Sequence, residues 1–227
     1  MLNALLFDLD GTLAETDSLH FQIWQDFLLD HGLVIDRAFY KAKISGRLNP
    51  DIMADLLPQL SVAEQNDFIE RKEAAFRNSA DALTPLAGVV EILDWAAEQN
   101  LKVAVVTNAP RENAQFMLNA LHLQHRFLTV VLGDDLPMGK PSPLPYQEAL
   151  RRLNVTAEET IAFEDSPSGL RSAVAANIFT VGIATTHDPE DLYQLGAGLV
   201  VPDFADERLI QLLNQRLIQR SSKVLTA

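Results

Sequence analysis

Short, mostly apolar runs alternate along this chain with longer stretches in which apolar residues recur every three or four positions. The short runs lie at residues 2–7, 101–106, 128–132, 160–163, 180–183 and 199–201, and they lack the regular alternation of a half-solvated strand. Such strands, separated by helices, belong to a parallel sheet covered on both faces. One region breaks the rhythm. Between about residues 16 and 84 the pattern is helical, with no convincing strand. Asn49-Pro50-Asp51 reads as an N-cap, a proline at the first helical position and an early acid that suits the helix dipole. Ser61-Val62-Ala63-Glu64 fits a capping box, as does Thr156-Ala157-Glu158-Glu159. The expected division is therefore a core of residues 1–15 and 85–227 interrupted, after its first strand, by a helical insert of residues 16–84. The chain would leave the core through residues 11–15 and return through Thr84-Pro85-Leu86-Ala87-Gly88. An insert at that point sits over the carboxyl edge of the sheet, where open α/β folds bind ligands, so by position it is a lid. The polar tail from Ser221 is expected to fray.

Composition narrows the function. The 227 residues carry 18 Lys plus Arg against 31 Asp plus Glu, a net charge of −13, which argues against nucleic acid because a duplex binder needs a basic face. Small anions held in a local pocket stay open. The absence of Cys removes disulfides, thiolate metal sites and cysteine nucleophiles together. No apolar run approaches the roughly 18 residues of a spanning helix, and the first residues lack a basic secretory leader pattern. The expectation is a soluble, cytoplasmic monomer with no membrane partner.

Candidate chemistry sits at the predicted strand ends. Phe7-Asp8-Leu9-Asp10-Gly11-Thr12 closes the first strand with two carboxylates at i and i+2, a pair suited to nucleophilic and proton-transfer roles, although a plain Asx turn would look the same. Thr107-Asn108 follows the second strand and offers a hydroxyl and amides for an anion, or simply a helix cap. Lys140 lies in a constrained Gly139-Lys140-Pro141 loop, where a solvated lysine is the plainer reading. The segment from Gly133 to Lys140 only superficially looks like a phosphate-binding P-loop, because its spacing is wrong and Pro141 replaces the hydroxyl residue. Glu164-Asp165 ends a further strand with hard oxygen ligands that suit Mg²⁺ rather than zinc, and Ser166-Pro167 starts a helix behind it. Four such segments, all at carboxyl ends of strands, are hard to attribute to accident.

In order, Asp8-Leu9-Asp10-Gly11-Thr12, Thr107, Lys140 and Glu164-Asp165 resemble the signature of the haloacid dehalogenase superfamily. The match is to its phosphatase and β-phosphoglucomutase-like branch with a helical cap, and it runs from Leu5 to about Phe204. The resemblance implies an α/β fold: a Rossmann-like doubly wound parallel sheet with an inserted all-helical cap domain. The strand ending at Asp8 would be central, flanked by those ending at Thr107 and Glu164. It implies that Asp8 attacks phosphorus to form an aspartyl-phosphate and that Asp10 protonates the leaving oxygen, then takes a proton from water. Mg²⁺ would be held by Asp8, the Asp10 backbone carbonyl, Asp165 and Glu164, with Thr107, Asn108 and Lys140 on the phosphoryl group. Asp10 also points to phosphoryl rather than halide chemistry, since a departing halide needs no proton.

Within the insert, His20 and Trp24 are spaced i and i+4 and share a helix face. Relatives carry similar residues facing the active site, although Phe21, Trp24 and Phe27 also read as ordinary packing. Arg47, after the small pair Ser45-Gly46, has the reach for a substrate phosphate or carboxylate, but it lies earlier than the mutase pattern places its arginine. Arg71-Lys72-Glu73 reads as a solvated charged face, and His122 and His125 as surface residues. The function expected is hydrolysis of a small phosphorylated metabolite, a sugar phosphate or phosphoglycolate-like acid. The alternatives are a β-phosphoglucomutase-type mutase and a receiver-like phosphoacceptor.

Overall fold

The computed structural model describes residues 2–79 and 83–224, with side chains as far as residue 217. Six strands, β1 (Ala4–Phe7), β2 (Lys102–Thr107), β3 (Thr129–Leu132), β4 (Thr160–Glu164), β5 (Phe179–Ile183) and β6 (Leu199–Val201), form one sheet. All pairs are parallel, in the order β3-β2-β1-β4-β5-β6. The six apolar runs are thus the six strands, each within a residue or two of its expected bounds. The strand order reverses at β1, whose neighbours are β2 and β4, and that switch point is where such sheets open a crevice for ligands.

Side-chain alternation along the strands sorts the helices between the two faces. Leu5, Phe7, Val103, Val105, Ile161 and Phe163 point to one side. There they pack with α5 (Val89–Glu98), α6 (Arg111–Ala120) and the first part of α10 (Glu207–Val224). Leu6, Ala104, Val106 and Ala162 point to the other, against α7 (Leu144–Leu153) and α8 (Pro167–Ala175). The small α9 (Pro189–Gln194) packs with α8 and β6 through Leu192, Leu170 and Val200. Helix α10 runs past Ser221 to Val224; the remaining tail lies outside the described residues.

Between β1 and β2 the chain makes α1 (Asp17–Leu29), α2 (Arg37–Lys43), α3 (Asn49–Leu56) and α4 (Val62–Ser79), with no strand among the described residues. These helices have a core of their own, in which Trp24, Leu28, Tyr40, Ile52, Met53 and Phe68 are buried. They are also rooted in the sheet's core, because Ile23 of α1 and Phe76 of α4 join the cluster around Phe7 and Leu13. The two crossings run side by side: Ala14 bridges Pro85, and Leu86 N–H donates to Leu13 O at 2.9 Å. Gly11 opens the first crossing at φ 74°, where a side chain would overlap the Asp165 carboxylate.

The capping boxes form, Ser61 with Glu64 ahead of α4 and Thr156 with Glu159 on a short 3₁₀ turn. Asn49 differs from expectation. It lies inside α3, after an Leu48 cap position, and its Nδ2 donates to Glu73 Oε1 at 2.7 Å, which keeps its side chain from capping the helix.

Candidate active site

The carboxyl ends of β1, β2 and β4 converge because β1 is central and the three strands are in register. Asp8 follows β1 directly, and its N–H extends the ladder by donating to Phe163 O at 3.0 Å. Asp8, Glu164 and Asp165 are all buried, and an oxygen from each lies within 4.8 Å of the others. Lys140 Nζ reaches into this group from the loop before α7, 2.5 Å from Asp8 Oδ1 and 2.6 Å from Glu164 Oε1. Tyr146 of α7 also donates to Glu164 Oε1, at 2.5 Å, while Glu164 Oε2 is buried without a hydrogen-bond partner.

Three carboxylates around one ammonium leave an excess of negative charge. Burial pushes the Asp165 carboxyl well above its usual range, with the charges of Asp8 and Glu164 adding to the shift. Burial also raises Asp8 and Glu164, against the pull of Lys140. For Lys140, burial works against the charge, but Asp8 and Glu164 outweigh it and raise its pKa. An orphaned carboxylate oxygen and three mutually repelling hard ligands fit a small divalent cation. The Asp10 side chain is not part of this triad.

Asp10 faces the helices instead. Its Oδ1 accepts from Thr16 Oγ1 at 2.7 Å and lies 3.3 Å from His20 Nε2. His20 Nδ1 lies 3.3 Å from Lys72 Nζ; an ammonium can only donate, so Nδ1 accepts and Nε2–H is left to point at Asp10. The imidazole is clamped by stacking on Phe76, with ring centroids 4.1 Å apart. Burial disfavours the Asp10 anion, yet His20 and Thr16 outweigh it and hold the carboxyl below its usual range.

Thr107 Oγ1, buried at the end of β2, accepts from Ala109 N–H at 2.9 Å. Asn108 neither caps α6 nor turns its amide freely into the cavity. Its Oδ1 accepts from Lys140 N–H, and its Nδ2 donates to Lys140 O, both at 3.0 Å, and to Gly46 O at 3.1 Å. Gly133 and Gly139 make room for that amide, since a Cβ at either would overlap Asn108 Oδ1. The glycines that superficially suggest a P-loop therefore serve Asn108.

A cavity of about 100 Å³ lies between these strand ends and the helices, lined by the catalytic candidates Asp8, Asp10, Thr107, Lys140 and Asp165 and by His20, Trp24 and Arg47. Trp24 is nevertheless mostly packing, 2% exposed and tilted against Phe68. Arg47 does not extend a free guanidinium: it donates to Lys43 O, to Asp51 O and to Asp55 Oδ2, the last at 2.7 Å. The reading of Arg71-Lys72-Glu73 as a solvated face fails at two of three residues. Arg71 is exposed and paired with Asp67, whereas Lys72 and Glu73 are buried and line the cavity. The signal was present in Phe68, Lys72 and Phe76, spaced i, i+4 and i+8, which puts Lys72 on the inward apolar stripe. Thr16, four residues before His20, was missed although the same spacing rule identifies it. Asn113 was missed as well, since nothing local in sequence links α6 to α4. His122 and His125 are exposed, as expected.

The model of the haloacid dehalogenase-like hydrolase family matches residues 5–183. The validoxylamine A 7'-phosphate phosphatase of Streptomyces hygroscopicus subsp. limoneus is 31% identical over 92% of this chain and 97% of its own. The β-phosphoglucomutase of Bacillus subtilis is 26% identical over 90% and 91%. Among solved structures, CbbY from Rhodobacter sphaeroides in complex with phosphate superposes with a TM-score of 0.80 at 27% identity, covering 91% of this chain and 96% of that one. The chain belongs to the haloacid dehalogenase-like hydrolase family, in its branch of phosphatases and β-phosphoglucomutases.

Proposed function

We propose that this chain is a Mg²⁺-dependent phosphomonoesterase that hydrolyses a small phosphorylated metabolite, a sugar phosphate or phosphoglycolate-like acid, through an aspartyl-phosphate on Asp8. The observation that carries this reading is the buried, charge-unbalanced cluster of Asp8, Glu164, Asp165 and Lys140 at the switch point of the sheet. Its excess negative charge has no use in a resting protein and suits a cation together with a phosphate. Asp8, Asp165, Glu164 and the Asp10 carbonyl would hold Mg²⁺, which supplies charge neutralisation for an anionic nucleophile meeting an anionic ester.

Asp8 is aimed by Lys140 at Oδ1 and attacks phosphorus, displacing the alkoxide oxygen. Asp10, held by Thr16 and His20, is ionised at rest and takes up a proton as the anionic ester binds beside it; it delivers that proton to the leaving oxygen and then takes one from the water that hydrolyses the acyl-phosphate. Thr107 and Lys140 bind phosphoryl oxygens. Residues 16–84 act as the lid over a core of residues 1–15 and 85–227, with Asn108 joining the lid's Gly46 to the core's Lys140. The names of relatives that act on phosphorylated carbohydrates and phosphoglycolate support the substrate class. A mutase reading uses the same core but needs the cavity to hold a bisphosphate, and the arginine best placed for one, Arg47, is engaged by Asp55. The test is a phosphate-release screen with Mg²⁺ over sugar phosphates, phosphoglycolate, glycerol phosphates and nucleotides, beside a glucose 1-phosphate isomerisation assay. Release from none of the small esters overturns the proposal.

A further inference from the structure

The helical wall of the cavity, opposite the acid cluster, carries a second buried charge network. Glu73, 4% exposed, accepts from Lys72 Nζ and Asn49 Nδ2 at Oε1, both at 2.7 Å, and from Asn113 Nδ2 at Oε2, 2.5 Å. Asn113 is fixed in that orientation by Arg77, whose Nη1 donates to its Oδ1 at 2.7 Å. A carboxylate has about four acceptor sites, so three donors leave Glu73 room for one more, on Oε2. Burial opposes its charge, but Lys72, with the hydrogen bond from Asn49, outweighs that and keeps the carboxyl below its usual range.

Among the described residues, each cation on this wall already has an acidic partner. Lys72 is paired with Glu73, Arg47 with Asp55, and Arg77 with Glu112. What the wall offers a ligand is therefore an anionic acceptor and amide groups. A second phosphate or a carboxylate there would face Glu73 with no free positive charge, at a cost in affinity.

Resting on the phosphatase reading above, we infer that Glu73, positioned by Asn49 and Asn113, is a specificity residue that selects the monophosphate of a polyol and rejects bisphosphates and phosphorylated acids. A hydroxyl of the polyol donates to the open site on Glu73 Oε2 while its phosphate lies at Asp8. Selection of this kind works by repelling the competitor as much as by attracting the substrate.

The experiment compares kcat/KM for a hexose monophosphate, the corresponding hexose bisphosphate and phosphoglycolate, on wild type, Glu73→Gln and Asn113→Ala. Reading ratios between substrates on one preparation cancels any fraction of unfolded protein. Wild type is expected to favour the hexose monophosphate by ~10-fold or more over each competitor that carries a second anionic group, and Glu73→Gln to lose most of that preference. Asn113→Ala breaks the same bond between α4 and α6 but keeps the Glu73 charge, so it should lose less of the preference than Glu73→Gln does. Equal shifts in both variants would mean that a loosened lid, not the carboxylate, admits the second anion, and would overturn the inference. Unchanged ratios in Glu73→Gln would overturn it too. If Glu73→Gln turns over none of the three esters, competition on wild type decides: a bisphosphate that inhibits as tightly as the monophosphate sinks the inference. Failure of the phosphatase reading is a separate result, since it leaves wild type inactive on all three esters.

Discussion

Two buried polar clusters face each other across the cavity, and they differ in how their charge is settled. At the strand ends, Asp8, Glu164 and Asp165 lie together with Lys140 bonded to the first two, one cation for three acids. On the helical wall, Lys72 answers Glu73, Arg77 answers Glu112, and Asn49 and Asn113 fill two more acceptor sites of Glu73. A network whose cations are all paired calls for no added cation, and its one open acceptor, on Glu73 Oε2, is left for a ligand hydroxyl. An unbalanced network held on rigid strand ends stays costly until something cationic joins it. On the proposed function, the first cluster does the chemistry and the second the recognition.

The sharpest way to break that division is Asp8→Asn. If the strand-end cluster performs the reaction, kcat/KM should fall by at least ~10⁴-fold, measured as phosphate release from purified variant. Near-normal turnover would move the chemistry elsewhere. Asp10→Asn should follow with a loss of ~10²–10⁴-fold, the range of a missing general acid and base. Asn108→Ala tests the joint between the clusters. It removes the bridge from Gly46 to Lys140, so kcat should drop by ~10-fold or more with a smaller change in KM; an effect confined to KM would mean that Asn108 only contacts substrate. The smallest effect belongs to stability. Glu73→Gln should cost about 1–3 kcal/mol at pH 7 by thermal or denaturant unfolding. Because the folded carboxyl sits below its ordinary 4.5, that contribution is present in full above 4.5 and disappears as pH falls through the lower folded value. Wild type and variant should therefore converge in acid; a gap that persists there would argue that shape, not charge, is lost.

The same contrast explains what the sequence made legible. Every strand-end residue lies next to a readable boundary, the end of an apolar run, so Asp8, Thr107, Glu164 and Asp165 announce their location and the parallel order brings them together. The division of the helices between the two faces likewise follows from the alternation of Leu5, Leu6 and Phe7. The wall network is less legible because its partners meet only through tertiary packing: Glu73 and Asn113 are 40 positions apart on helices that touch only in the folded chain. Charged residues on a helix read as solvated by default, and only the register of Lys72 with Phe68 and Phe76 contradicts that. Arg47 shows the opposite error. A long side chain beside a cavity reads as ligand-binding, but Asp55, one helical stretch away, holds it.

The central claim, that the strand-end cluster is incomplete without a cation, is tested most directly by stripping the protein with chelator and following phosphate release from a hexose monophosphate while Mg²⁺ is restored. Release should fall below detection in the stripped protein and return in full with added Mg²⁺, but not in Asp165→Asn at the same concentration. Undiminished release from wild type in excess chelator would contradict the account.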